Sequence, residues 1–167
     1  MTAPASSPKN DPRFELLQDW LNNALGLKQC ALAPVSSDAS FRRYFRAYHN
    51  GCSYIVMDAP PPQEDVRPFL HVAELMAKAG VCVPGIHARD VERGFLLLDD
   101  FGPVLYLERL HEHSADALYG DALETLVRLQ TQTTPSASHL PDYHAGELRR
   151  ELELFREWFL QKLLGLE

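Results

Sequence analysis

The sequence predicts an α+β fold: a five-stranded antiparallel sheet with one inserted helix, followed by further helices. Five short apolar or alternating segments, each bounded by turn residues, fall between residues 31 and 98. One amphipathic stripe interrupts them at residues 66–77, and the pattern after residue 103 is helical. The chain has 167 residues, 46% hydrophobic and 23% charged, which is typical of a globular protein.

The first predicted element is a helix that follows a flexible tail. Residues 1–10 are rich in Ser, Pro and Ala and are expected to be mobile. Asp11 followed by Pro12 is a typical helix start, a capping residue before Pro at the first helical position. Apolar side chains then recur at helical spacing from Phe14, and Gly26 is a suitable stop.

Three strands are expected next. Ala31–Val35 reads as a short strand, residues 36–40 as a turn, and Phe41–Tyr48 as an alternating aromatic strand. The alternation places Phe41, Arg43 and Phe45 on one face and Arg42, Tyr44 and Arg46 on the other. A hairpin turn at residues 49–51 leads into a third strand, Ser53–Asp58.

The amphipathic helix and two more strands complete the predicted sheet. Gly80 ends the helix and Pro84 prevents its continuation. Strands Ile86–Arg89 and Phe95–Leu98 are joined by a tight turn at residues 91–94. This order is that of a kinase N-terminal lobe, although many small α+β domains share it.

The last third of the chain is predicted to be helical. Ser114 can cap one helix, residues 131–141 form a polar connector, and a final helix carries an apolar stripe from Leu148 to Leu163. This helix has apolar side chains on more than one side, so we expect self-association or a longer parent protein. The predicted organisation is a tail at 1–10, a lobe with a hinge at its end at 11–102, and an incomplete helical lobe at 103–167.

Charge and composition exclude several classes of protein. Sixteen basic and 23 acidic residues give a net charge of −7, which disfavours nucleic-acid binding. No apolar run approaches the length of a membrane helix, and the N-terminus lacks a signal-peptide pattern. Three scattered cysteines without C-x-x-C, at 30, 52 and 82, favour reduced thiols in the cytoplasm and no metal site.

One candidate anion site is the loop between the first two strands. Small residues let backbone N–H groups approach a phosphate closely, and the loop consists of Ser36, Ser37, Asp38, Ala39 and Ser40. Arginines that follow could neutralise phosphate charge. The alternatives are an ordinary hairpin turn and a solvated strand edge.

Two further segments fit a nucleotide-binding lobe. Glu74 lies in the middle of the amphipathic helix, where a kinase lobe carries a glutamate, although a solvated Glu is an equal reading. The strand ending in Leu98-Asp99-Asp100-Phe101 could be a hinge, or simply a polar strand end. The D-F-G triplet at 100–102 is a coincidence, because no H-R-D-x-x-x-x-N loop accompanies it.

These segments together resemble aminoglycoside-phosphotransferase-type kinases. Within that group they are most similar to the bacterial anomeric kinases of N-acetylmuramate and N-acetylglucosamine in cell-wall recycling. The resemblance covers nearly the whole chain after the tail. It rests on S-S-D-A-S-F-R-R-Y-F-R (36–46), Y-I-V-M-D-A-P-P (54–61), A-G-V-C-V-P (79–84), G-F-L-L-L-D-D-F-G (94–102) and Y-H-A-G-E-L-R-R-E-L-E-L-F-R-E-W-F-L (143–160).

The resemblance implies a protein-kinase-like fold with an ATP site between two lobes. Residues 36–40 would cover the phosphates, Leu98 to Phe101 would contact adenine, and Glu74 would be the lobe-helix glutamate. The family usually has a Lys in the third strand, where this chain has Met57. We expect Arg43 or Arg46 to supply that charge, because Arg is always protonated and can bind two oxygens.

The same resemblance implies that catalysis requires residues that this chain lacks. The family's H-x-D-x-x-x-x-N loop and its metal-binding Asp have no counterpart here, so no catalytic residue and no Mg²⁺ ligand is assigned. We expect the N-terminal portion of an ATP-dependent sugar kinase, inactive alone. The alternatives are a non-catalytic nucleotide- or protein-binding module, and a kinase of another acceptor such as an aminoglycoside, choline or homoserine.

Overall fold

The computed structural model describes residues 11–28, 30–37, 40–133 and 140–166. It forms two compact units, residues 1–131 and 132–167. The predicted tail, Asp38 and Ala39 lie outside the described residues. In the described part of the chain, no helix is both long and apolar enough to cross a bilayer.

The first unit is built on one five-stranded sheet, which confirms the predicted α+β architecture. All neighbouring strands are antiparallel, and their order is β1-β2-β3-β5-β4. The strands are β1 Ala31–Ser37, β2 Arg43–His49, β3 Cys52–Asp58, β4 Ile86–Asp90 and β5 Phe95–Asp99. Four of the five ends of the predicted strands move by one or two residues. At β2 the start also shifts, because Phe41 lies before the strand.

Helix α1, Pro12–Asp19, covers one face of the sheet and continues as a π-helical turn, Trp20–Ala24. The Asp11 carboxylate accepts a 3.0 Å hydrogen bond from the Arg13 N–H, so Asp11 caps the helix as predicted. The strands alternate, and every second side chain therefore faces α1. The resulting cluster contains Phe14, Leu17, Trp20 and Leu21 packed on Phe45, Ala47, Val56, Phe95 and Leu97.

Helix α2, Arg67–Lys78, packs on the opposite face. The side chains in this cluster come from the alternate strand positions, which face away from α1. Because both faces of β3 and β5 are covered, their sequences are nearly continuous apolar runs. The buried members are Met57, Ala59, Val66, Leu96 and Leu98, with Tyr44, Ile55, Phe69, Leu70 and Val91 against them. Because helices cover both faces of the sheet, its central strands are buried.

Two turns need glycine for different reasons. Asn50 and Gly51 both have positive φ, 49° and 78°, as the tight hairpin between β2 and β3 requires. Gly94 has φ of 75°, and a Cβ there would lie 1.9 Å from the Ala59 carbonyl oxygen. That close approach accompanies a 2.9 Å hydrogen bond from the Ala59 N–H to the Gly94 carbonyl.

Helices form the rest of the described chain. Helix α3 is the short segment Tyr106–Arg109, and α4 runs from Ala115 to Thr133 directly after Ser114. In the second unit, α5 spans Ala145–Leu154 and continues as a π-helical segment, Phe155–Leu163. The predicted 131–141 connector lies partly within α4, and its residues 134–139 lie outside the described part.

Candidate functional site

A cavity of about 400 Å³ opens on the α2 face of the sheet, beside the end of β5. Strands β1, β2 and β3 supply one wall, and the segment after β5 supplies the other. Its lining residues are Val35, Tyr44, Arg46, Ile55, Pro84, Leu98, Asp99, Asp100, Phe101 and Gly102. We call this cavity the hinge pocket, and it contains all four residues of the predicted hinge.

Strand alternation explains which side chains reach the hinge pocket. Arg46 pairs with Ile55, and Ile55 pairs with Leu98, so these three lie side by side across β2, β3 and β5. The pocket is lined mainly by apolar surface with a few polar groups at its end. This combination suits a flat, largely apolar ligand that carries a polar edge.

Arg46 and Asp100 form an ion pair at the end of the hinge pocket. The Arg46 Nε donates to Asp100 Oδ2 at 2.6 Å, and Nη2 donates to Oδ1 at 3.1 Å. The Asp100 side chain is only 3% exposed. The hydrogen bond from Arg46 is the main cause that lowers the pKa of Asp100 to about 2, so this carboxylate is ionised at neutral pH.

Asp99 points to a different set of partners. Its carboxylate lies 2.7 Å from the His87 Nε2 and accepts a 2.8 Å hydrogen bond from the Gly85 N–H. The His87 contact, followed by the Gly85 contact, lowers the pKa of Asp99. Asp99 is therefore held from the β4 side of the sheet and Asp100 from β2, and both contacts fix the path of the chain after β5.

Arg43 lies on the α1 face of the sheet, away from the hinge pocket. Its Nε donates to Asp58 Oδ2 at 2.9 Å, and its guanidinium also pairs with Asp11. Asp58 is fully buried and accepts a 2.6 Å hydrogen bond from Arg13 as well. Arg43 thus joins the ion-pair cluster that anchors α1, and the structure does not bring it together with Arg46.

Glu74 also lies apart from the hinge pocket. It is exposed on α2 and pairs with Lys78 at 2.7 Å. Lys78 is the main cause that lowers the pKa of Glu74. Glu74 lines a separate cavity of about 640 Å³ between α2 and β4.

The predicted phosphate loop is described only at its ends. Ser36 and Ser37 belong to β1, where they pair with Tyr44 and Arg43. The Ser40 hydroxyl accepts a 3.2 Å hydrogen bond from the Arg42 N–H. The loop therefore begins where β1 leaves the sheet, next to the start of β2.

Met57, at the position of the family's usual lysine, is fully buried in the α2-side cluster. In residues 11–28, 30–37, 40–133 and 140–166, no three His, Cys, Asp or Glu side chains converge as a metal-binding group.

Sequence reasoning missed several lining residues of the hinge pocket. They are Val35, Tyr44, Ile55, Pro84 and Gly102. The signal was available in part, because alternation already placed Tyr44 on the same face as Arg46. Extending that alternation to β3 would have added Ile55.

Comparisons with known proteins found a matching family model and several similar kinases. Residues 31–165 match a family model described as the phosphotransferase enzyme family. The chain is 48% identical to the N-acetylmuramate/N-acetylglucosamine kinase of Pseudomonas aeruginosa and 46% identical to that of Pseudomonas putida, with 95% of this chain and 49% of each relative covered. It is 36% identical to the kinase of the same name from Neisseria meningitidis serogroup B, over 90% of this chain and 46% of that protein. The chain thus spans about half the length of the curated relatives it matches.

Proposed function

Since the chain belongs to the phosphotransferase enzyme family, we propose that it carries the nucleotide-binding part of an ATP-dependent sugar kinase. The observation that carries this proposal is the hinge pocket, in which Leu98, Asp99, Asp100 and Phe101 form one wall beneath the sheet. A cleft at the end of a strand with apolar walls and backbone groups at its edge fits an adenine ring.

The proposed acceptor is the anomeric hydroxyl of N-acetylmuramate or N-acetylglucosamine. The support is the name that these three relatives share, together with 46–48% identity to two of them. The proposed reaction belongs to a protein about twice this length. It transfers a phosphoryl group in the recycling of cell-wall sugars.

The chain's own residues would bind and orient the nucleotide. We propose that Ile55 and Leu98 contact the base, and that residues 36–40 cover the phosphates where β1 leaves the sheet. ATP supplies the transferable phosphoryl group. Arg43 and Glu74 stay in the ion pairs in which they lie, with Asp58 and Lys78.

A general base for the acceptor hydroxyl is not assigned to any residue of this chain. Phosphoryl transfer depends on positioning, charge neutralisation and such a base. We therefore propose that the chain alone binds nucleotide without turnover. A coupled assay with N-acetylmuramate, in which turnover exceeds that of a blank and disappears on mutation of this chain, would contradict that part.

Nucleotide binding to the chain is tested best with a variant that fills the hinge pocket. Val35 is 43% exposed and lines the pocket, so Val35→Trp adds bulk there without disturbing the core. Ala31→Trp is the matched control, an exposed position on the same strand outside the lining. Calorimetric titration with ADP should show binding to the parent and to Ala31→Trp, and at least about tenfold weaker binding to Val35→Trp. Equal affinities in all three would reject the hinge pocket as the nucleotide site.

We also propose a cytoplasmic location, which the need for ATP and the free thiols of Cys30, Cys52 and Cys82 support.

We further propose that the chain self-associates through its last helical segment. Phe155, Trp158 and Leu163 are each more than half exposed there. Sedimentation velocity over a range of chain concentrations tests it.

A further inference from the structure

We infer that Arg46 positions the hinge through Asp100 and is not a ligand of the nucleotide phosphates. This inference rests on the proposed function, since it assigns a role within the same pocket. It replaces the expectation that Arg46 takes over the charge of the missing strand lysine. Four observations support it: the geometry of the pair, its burial, its second contact and its place along β2.

The pair uses the Nε–Nη2 edge of the Arg46 guanidinium. Nε and Nη2 bind the two oxygens of one carboxylate, at 2.6 and 3.1 Å. A planar guanidinium binds a carboxylate and a phosphate with the same two-point geometry. Arg46 can therefore offer its Nε–Nη2 edge to a phosphate only after it releases Asp100.

Releasing Asp100 is unfavourable because of where it lies. The Asp100 side chain is 3% exposed, and the Arg46 side chain is 17% exposed. Separating the pair would leave a buried carboxylate without its counter-charge, next to an incoming anion. A triphosphate would then meet a negative group at the position where it needs a positive one.

Asp100 holds the hinge backbone with its other contact. Its Oδ1 accepts a 2.9 Å hydrogen bond from the Gly102 N–H. Gly102 has φ of 89°, a left-handed conformation in which glycine is favoured. Arg46, anchored in the sheet, therefore fixes the turn that directs residues 100–102 along the pocket.

The position of Arg46 along β2 agrees with a role at the base end of the site. Arg46 pairs with Ala33 and Ile55, whereas the loop at residues 36–40 leaves the sheet beside Arg43. Three residues of strand separate the two arginines, which is about 10 Å. The Arg46 side chain reaches Asp100, directly after β5, whereas Arg43 lies at the β2 position opposite Ser37, where the loop begins.

A phosphate ligand and a hinge-positioning residue would affect the affinities of adenosine, ADP and ATP differently. A phosphate ligand contributes to the binding of ATP and ADP but contributes nothing to adenosine. A residue that positions the hinge contributes equally to all three, because each of them carries the base. The ratio of the dissociation constants for adenosine and ATP separates these roles. A general loss of folding would weaken both ligands by the same factor and would leave this ratio unchanged.

The experiment measures the affinities of adenosine, ADP and ATP for the chain and three variants by calorimetry. Arg46→Gln removes the charge, and Arg46→Lys keeps the charge but loses the two-point fork. Arg67→Gln is the matched control, since Arg67 likewise pairs with carboxylates, Asp65 and Glu92, each at 3.3 Å, but lies outside the hinge pocket. Circular dichroism verifies that each variant is folded, and Asp100→Asn replaces Arg46→Gln if that variant does not fold.

We expect Arg46→Gln and Arg46→Lys to weaken all three ligands by a similar factor, about tenfold, with Arg67→Gln unchanged. Loss of ATP affinity with adenosine affinity retained in Arg46→Gln would overturn the inference and leave the proposed function standing. If Arg46→Gln loses ATP affinity while Arg46→Lys retains it, the charge of Arg46 would be identified as a direct ligand of the phosphates. A parent chain that binds neither adenosine nor ATP would overturn the proposed function, and the inference with it.

Discussion

Arg13 donates a 2.6 Å hydrogen bond to Asp58, which lies 45 positions further along the chain. The guanidinium of Arg13 also lies 4.8 Å from the centre of the Phe95 ring, and its Nη2 donates to the Arg93 carbonyl at 2.5 Å. Arg43 occupies the other oxygen of Asp58. The buried carboxylate of Asp58 therefore joins helix α1 to the start of β2 at the end of β3.

The first prediction concerns that carboxylate. Asp58→Asn should lower the free energy of unfolding by about 3 kcal/mol, because two partly buried arginines lose their shared counter-charge. Asp65→Asn is the control, since Asp65 is half exposed and pairs only with an exposed Arg67. It should cost less than about 1 kcal/mol. Urea unfolding followed by tryptophan fluorescence measures both free energies of unfolding. Equal losses would show that the buried ion pairs of Asp58 contribute no more stability than the exposed pair of Asp65.

The second prediction concerns the turn between β4 and β5. Gly94→Ala should destabilise the chain by more than about 2 kcal/mol, because the added Cβ would collide with the Ala59 carbonyl. Gly51→Ala shares the positive φ but has no atom within 4 Å of the new Cβ. It should cost about 1 kcal/mol, the backbone strain alone. Thermal unfolding of both variants separates collision from strain, and a larger loss at Gly51 would contradict the prediction.

The third prediction concerns the strand position where the family usually carries lysine. Met57→Lys should cost about 4 kcal/mol at pH 7, because Met57 is fully buried among Leu96, Leu98 and Val66. The loss should shrink toward pH 10, where the unfolded chain also gives up the lysine proton. Met57→Leu, the apolar control, should cost less than about 1.5 kcal/mol. A stable Met57→Lys variant with tighter ATP binding would show that the new side chain reaches the hinge pocket.

The fourth prediction concerns pH. Arg46 lowers the pKa of Asp100 to about 2 in the folded chain, below the value of about 3.9 expected when unfolded. The unfolded chain therefore binds this proton first, and the stabilisation is complete above about pH 4 and lost as pH falls toward 2. Asp100→Asn should be less stable than the parent at pH 6 and equal to it near pH 2. Urea midpoints at constant ionic strength test this, and a constant difference over that range would contradict it.

The sequence was informative about the sheet because the periodicity there is strong. Alternation at residues 41–48 and the Asn50-Gly51 turn predicted β2 and its hairpin, although β2 begins only at Arg43. Gly26 follows the π-helical turn that continues α1, and Gly80 follows the end of α2, as predicted. The π-helical segment at residues 155–163 was not predictable in this way. Its hydrogen-bond pattern depends on local packing, as in the stacked rings of Phe155 and Phe159 at 5.1 Å, and an apolar stripe alone does not reveal it.

The candidate site was predictable to the level of segments but not of partners. The hinge residues 98–101 follow from the end of an apolar strand. The choice between Arg43 and Arg46 depended on carboxylates that lie far away in sequence, such as Asp100, which is 54 positions from Arg46. Strand alternation already separates these two arginines by face, and that was the available signal. Nothing local distinguishes Asp58 from an ordinary polar strand end.

The attachment of α1 has a practical consequence for anyone who shortens this protein. Trimming up to residue 10 keeps both Asp11 and Arg13, and the ionic anchor of the helix is retained. A chain that starts at Phe14 would lack Arg13. Asp58 would then pair with Arg43 alone, and the Phe95 ring would lose its contact with the Arg13 guanidinium. Affinity tags and fusion partners are therefore best joined ahead of Asp11.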